Sequence, residues 1–121
     1  MECDKELAEM ASYNVLQCKM THDKCHNTET FIYSGQNLAW SSYYGKPNAT
    51  KLFRIAFAQW YNEYKDVKMD NIDSFRSSYS RPKIDHFTVM VADRNIRVGC
   101  AAATYDDTRV SSVLFYYIPC T

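Results

Sequence analysis

The residues best suited to chemistry gather in a stretch from Asp85 to Cys100, which reads Asp-His-Phe-Thr-Val-Met-Val-Ala-Asp-Arg-Asn-Ile-Arg-Val-Gly-Cys. His86 opens an apolar run of mixed spacing, with Phe87, Val89, Met90 and Val91. From Ile96 onward a second run ends on small residues and carries Cys100. A histidine at the mouth of a short helix, beside a strand with a cysteine, is a layout able to hold a site. An imidazole changes charge near neutrality, moves protons and ligates metals. Upstream, His22, Cys25 and His26 sit within five residues. They look like a metal cluster, but a zinc site needs four ligands and usually a second cysteine or histidine pair. No such pair is evident, so a structural role is the expected one. Glu63 follows Trp60 by three residues and Gln59 by four, which places it on the border of an apolar helix face.

The elements that must position these residues are legible in outline. Asp4 to Met20 reads as a helix, with Leu7, Ala8, Ala11, Val15 and Cys18 on one stripe. Asp4 is its expected N-cap and Glu6 suits its first turn. Thr21 to Ser34 is polar and mixed. Gly35-Gln36-Asn37-Leu38-Ala39-Trp40 is a turn signal leading into a short strand. Ser41 to Asn48 is a loop, with Asn48 as a helix cap or as the acceptor of the glycosylation sequon Asn48-Ala49-Thr50. Those two roles are expected to compete for one side-chain amide. Thr50 to Val67 forms the second helix, with Leu52, Phe53, Ala56, Phe57, Trp60, Tyr61 and Tyr64 on a broad apolar face. Lys68 to Ile84 reads as a long surface loop, and His86 to Ala92 as a short helix. Ile96 to Tyr105 and Val110 to Cys120 are strands joined by a hairpin at Asp106-Asp107-Thr108-Arg109. Pro119 belongs at a strand end or edge. This order predicts an α+β domain with helices layered on a small antiparallel sheet.

A chain of 121 residues predicts a single domain. Lys+Arg and Asp+Glu both number 14, which argues against an electrostatically driven nucleic-acid or membrane binder. No apolar run is long enough for a transmembrane segment. Five cysteines and a sequon point to an oxidising, extracellular compartment, although Met1-Glu2-Cys3-Asp4-Lys5 is no signal peptide. The two readings meet if the chain is the interior of a longer protein. Were Asp4 to Met20 one helix, Cys3 and Cys18 would lie about 22 Å apart, too far for a disulfide. Cys100 and Cys120, on the two C-terminal strands, are the expected bridge. Cys18 and Cys25 join only if the first helix ends promptly at Met20.

The motifs together resemble a known family. Cys18-Lys-Met-Thr-His22-Asp-Lys-Cys25-His26-Asn27-Thr28, Gly35-Gln36-Asn37-Leu38-Ala39, Trp60-Tyr61-Asn62-Glu63 and Asp85-His86-Phe87-Thr88-Val89-Met90-Val91 with Val98-Gly99-Cys100 occur in the order of the CAP superfamily (SCP/TAPS domain). The likeness is strongest to the secreted antigen-five-like proteins of insects. It implies a three-layer α-β-α sandwich with a central cleft, here without its first helix. Carried over by position, the cleft holds His22, Gln36, Glu63 and His86. His22 and His86 are the implied ligands of a divalent metal such as zinc, none being required. Gln36 replaces an acid, so the site is expected to be weak: glutamine orients an imidazole but cannot act as a general base. The resemblance also implies that Cys18 and Cys25 pair with upstream cysteines and that Cys3 is a free thiol in a tryptophan position.

Two functions of different class follow. The resemblance implies a secreted binding protein for a sterol, a fatty acid or an extracellular protein partner, in venom, salivary, immune or reproductive settings. Phe57, Trp60, Tyr61 and Tyr64 are the candidate wall of an apolar pocket, or simply core. The alternative is a metal-assisted hydrolase using His22, Glu63 and His86. A fragment without function of its own is the third expectation.

Overall fold

The computed structural model describes residues 1–25, 27–42, 46, 48–74 and 82–104, and the backbone of 113–119. Its elements are β1 (Glu2–Cys3), α1 (Lys5–Val15), β2 (Ser34–Trp40), α2 (Ala49–Tyr61), a 3-10 turn (Asn62–Asp66), α3 (Met69–Asp73), α4 (Asp85–Val91), β3 (Arg97–Ala103) and β4 (Val113–Pro119).

α1 begins where its cap requires. Asp4 Oδ1 accepts from Leu7 N at 3.2 Å, and Glu6 sits in the positive first turn. Leu7, Ala11, Asn14 and Val15 are buried, so one face is committed to the core. The helix stops at Val15, five residues short of the expected Met20. Cys18 adopts a left-handed φ of 53°, which no continuing helix can contain, and it is exposed instead of joining the stripe. α2 starts on Asn48, whose Oδ1 accepts from Lys51 N at 3.0 Å. Leu52, Ala56 and Trp60, four residues apart, are its buried ridge. This helix also ends earlier than its pattern suggests. At Tyr61 the chain tightens into the 3-10 turn, which takes Glu63 off the α2 surface. The expected loop from Lys68 contains α3, while 75–81 lie outside the described residues.

The sheet has four strands in the order β1-β3-β4-β2. β4 runs antiparallel to both neighbours, pairing Asn37 with Tyr116 on one side and Cys100 with Tyr116 on the other. β1 departs from the expected all-antiparallel sheet: it pairs parallel with β3, Cys3 opposite Val98. Two residues are too few to show an alternating pattern, and the strand is defined by Glu2 N and Asp4 N donating to the carbonyls of Ile96 and Val98. The hairpin at 106–109 and Cys120 lie outside the described residues. Pro119 closes β4 opposite Ser34.

Helices cover both faces, as the three-layer sandwich requires. Val15 of α1 packs with Leu38, Ala101 and Ala103 on one face. On the other, Ala39, Leu52, Ala56 and Trp60 form the core, with Met90, Cys100 and Ala102 against it. Alternation along β2 and β3 sorts these residues: even positions of one strand and odd positions of the other meet α1. Gly99 faces α1 so closely that an added Cβ would collide with the backbone at Leu7 and Ala8. Only glycine lets that helix lie on the strand.

Candidate functional site

Glu63 and His86 meet across two elements. His86 Nδ1 lies 2.7 Å from Glu63 Oε1, and Phe87 N donates to Glu63 Oε2 at 3.0 Å. One carboxylate thus takes the ring and a backbone N–H in the first turn of α4, a helix whose own N-cap residue, Ile84, offers no side-chain acceptor. A carboxylate accepts only, so His86 Nδ1 carries a proton. Three further contacts hold the ring's surroundings. Asn37, buried on β2, donates through Nδ2 to the His86 carbonyl at 3.0 Å. Trp60 stacks on the imidazole with centroids 6.0 Å apart and planes 17° from parallel. Its indole Nε1 donates to the Leu38 carbonyl at 3.2 Å.

His22 and Gln36 form the second pair, with Nδ1 2.7 Å from Oε1. Gln36 neighbours Asn37 on β2, yet successive strand residues leave opposite faces. Asn37 shares its face with Ala39 and the α2 core, and Gln36 shares the other with Leu38 and α1. The four residues expected in one cleft are therefore placed as two hydrogen-bonded pairs joined through adjacent positions of β2. Sequence reasoning missed a fifth member, Asp23. It contacts Gln36 through its backbone N–H and its carboxylate, and Asn14 of α1 donates to it at 2.5 Å. Its adjacency to His22 was the only available signal.

The remaining candidates separate from these pairs. Among the described residues no group of three histidines, cysteines or acids is placed to hold a metal ion. His26, like Cys120, lies outside the described residues, so the Cys100–Cys120 bridge is not described. Cys3, Cys18 and Cys25 are free and exposed, and the early end of α1 does not bring the last two together. Cys100 likewise forms no disulfide among the described residues. Burial, with a smaller contribution from Cys3, pushes its thiol up to about 12, which leaves it neutral and a poor nucleophile. The aromatic set expected to wall a pocket divides. Trp60 is core, with Phe57 edge-on to it at 5.7 Å, whereas the half-exposed Tyr61 and Tyr64 pack around Phe87.

A groove of about 640 Å³ opens between α3 and α4, lined by Ile72, Val89, Val91 and Ala92, with Asn71, Thr88 and Asp93 as its polar members. None of the four aromatic candidates lines it.

Ordered helices on a sheet, a histidine at the start of α4 and a glutamate on the turn after α2 define the class. Residues 1–120 match the model of the Cysteine-rich secretory protein family, CAP, and the chain belongs to that family. Its curated relatives include Venom allergen-1 of Aedes aegypti, 42% identical over 118 residues, covering 97% of this chain and 45% of the relative. An antigen 5 like allergen of Culicoides nubeculosus is 43% identical over 98 residues, 81% of this chain and 44% of that one. The chain thus spans less than half the length of these relatives. Among solved structures it is similar to a venom allergen-like protein of Schistosoma mansoni, with a TM-score of 0.66 at 20% identity, over 97% of this chain and 66% of that one. That likeness bears on the fold. No helix among the described residues is long and apolar enough to cross a membrane.

If the Glu63 carboxylate anchors α4, Glu63→Ala will lower the unfolding free energy by about 1–2 kcal/mol, a charged hydrogen-bond value discounted for partial exposure. Glu63→Gln, which keeps one acceptor oxygen, will lose less than half of that. Urea titration followed by tryptophan emission reads both, and an unchanged alanine variant would remove the anchor.

Proposed function

We propose that this chain is a single CAP domain of a secreted, non-enzymatic protein that carries a small hydrophobic ligand, a sterol or fatty acid. The groove between α3 and α4 carries the reading. Its size suits such a molecule, its walls are aliphatic, and its polar members can meet a head group, the Asn71 amide NH2 donating to a hydroxyl or carboxylate and Asp93 accepting from a hydroxyl. The names of the relatives, venom allergen and antigen 5 like allergen, support an extracellular setting, in which an immune, salivary or venom role fits. Against a hydrolase, neither His22 nor His86 is hydrogen-bonded to a hydroxyl or thiol among the described residues; their partners are Gln36 and Glu63. An extracellular protein partner is the other candidate occupant, and it would leave no small molecule to extract.

Fluorescent fatty-acid and sterol probes test the groove. Wild type should bind one of them, and Val89→Asp should weaken that binding at least tenfold. Failure of the wild type to bind either, or equal binding by both proteins, would refute the groove.

The paired histidines support a second, weaker property. Each spends Nδ1 on an acceptor, which leaves Nε2 to ligate, as in histidines braced from behind at metal sites. Zinc or another divalent cation would take the Nε2 of His22 or of His86 singly, because the two pairs leave opposite faces of β2. Such binding would be weak, because Gln36 is neutral and a single imidazole is far fewer ligands than zinc prefers. Calorimetric titration with zinc should give heat with the wild type and none with the His22→Ala, His86→Ala double variant; equal heats would exclude both rings.

Asn48 is exposed, and a glycan there suits secretion. The cap uses Oδ1 while an N-linked sugar joins Nδ2, so the two roles are compatible, contrary to the competition expected from sequence. Protein made through a secretory route should lose glycan mass on enzymatic deglycosylation, and Thr50→Ala should lack that mass while melting within a few degrees of wild type. Wild-type material of unmodified mass would rule the site out.

A further inference from the structure

Gln36 is neutral, so its strand brings His22 no carboxylate. The structure puts one immediately behind it. Gln36 Nε2 donates to Asp23 Oδ2 at 3.5 Å, and the Asp23 backbone N–H donates to Gln36 Oε1 at 3.2 Å. An ionised carboxylate only accepts and a backbone N–H only donates. Together they fix the amide, nitrogen toward the carboxylate and oxygen toward His22. His22 Nδ1 lies 2.7 Å from that oxygen. Because an amide oxygen accepts, Nδ1 is the donor, and the neutral ring keeps its lone pair on Nε2.

The carboxylate is itself held from below. Asp23 Oδ1 takes hydrogen bonds from Asn14 Nδ2 at 2.5 Å and Gln17 Nε2 at 3.1 Å. Asn14 is 1% exposed, on the buried face of α1. A continuous series of contacts therefore runs from the α1 core through Asp23 and Gln36 to an exposed imidazole.

We propose that Asp23 is the positioning residue of His22: acting through the Gln36 amide, it fixes the ring in the Nδ1–H tautomer and presents the Nε2 lone pair to an incoming Lewis acid or hydrogen-bond donor. The loop thereby supplies the negative charge that the strand lacks. A neutral imidazole free in water favours the proton on Nε2, so the assigned tautomer opposes the default. The inference is independent of the α3–α4 groove.

Nitrogen-15 NMR of the ring nitrogens, at a pH well above imidazole titration, tests it on wild type, Asp23→Asn and Gln36→Leu. In the wild type His22 should be mainly Nδ1–H. In both variants the ratio should reverse toward Nε2–H, while His86, held by Glu63, keeps its wild-type signature and shows that the fold is intact. A wild-type His22 protonated mainly on Nε2 overturns the proposal without any variant. So does an Asp23→Asn protein that retains the wild-type tautomer, whatever Gln36→Leu does. Should Asp23→Asn not fold, Asp23→Ser, which removes the charge but keeps an acceptor for Asn14, decides by the same criterion.

Discussion

The placement of α4 depends on one carboxylate. Glu63 stands on a 3-10 turn that α2 cannot extend into, and from there both of its oxygens reach α4, one the His86 ring and the other the Phe87 amide. A seven-residue helix has little stability of its own. One N–H of its first turn is satisfied by a side chain from another element, and its last turn is tied by Asn95 Nδ2 to the Val89 carbonyl. Met90 then packs on the α2 core, so the groove, the histidine and the sheet all take their positions from this arrangement.

β2 plays the complementary part. Its consecutive residues Gln36 and Asn37 serve opposite faces of the sheet, one reaching toward His22 and the other toward His86. A single strand therefore links two clusters that would otherwise belong to separate layers. The same logic explains why a polar pair is tolerated in the middle of the strand. Asn37 is buried but spends its amide on the His86 backbone carbonyl, and Gln36 is engaged at both ends of its amide.

Caps and apolar ridges were legible in the sequence because they are local. Asp4 and Asn48 both accept from the third residue on, as their types and positions imply. Helix ends were less so. Nothing in Leu16-Gln17-Cys18 announces a turn, since a cysteine at positive φ is not a residue the rules place there. The short β1 strand exists only through hydrogen bonds to residues 94 positions or so away, which no window of sequence contains. For the candidate site, the partners of both imidazoles were legible as residue types in a family pattern. Their arrangement as two pairs was not, because it follows from which face of β2 each side chain leaves. Asp23 was invisible for the same reason: its contact with Gln36 spans 13 residues and depends on how the loop after α1 folds back.

The stacking of Trp60 on His86 has an optical corollary. An imidazolium quenches indole emission far more than a neutral ring does, and these two rings lie nearly parallel at 6.0 Å. The protein therefore holds its own indicator dye. Light emitted by Trp60 reports on the imidazole stacked against it, so disturbance of the contact between α2 and α4 can be followed without attaching any label.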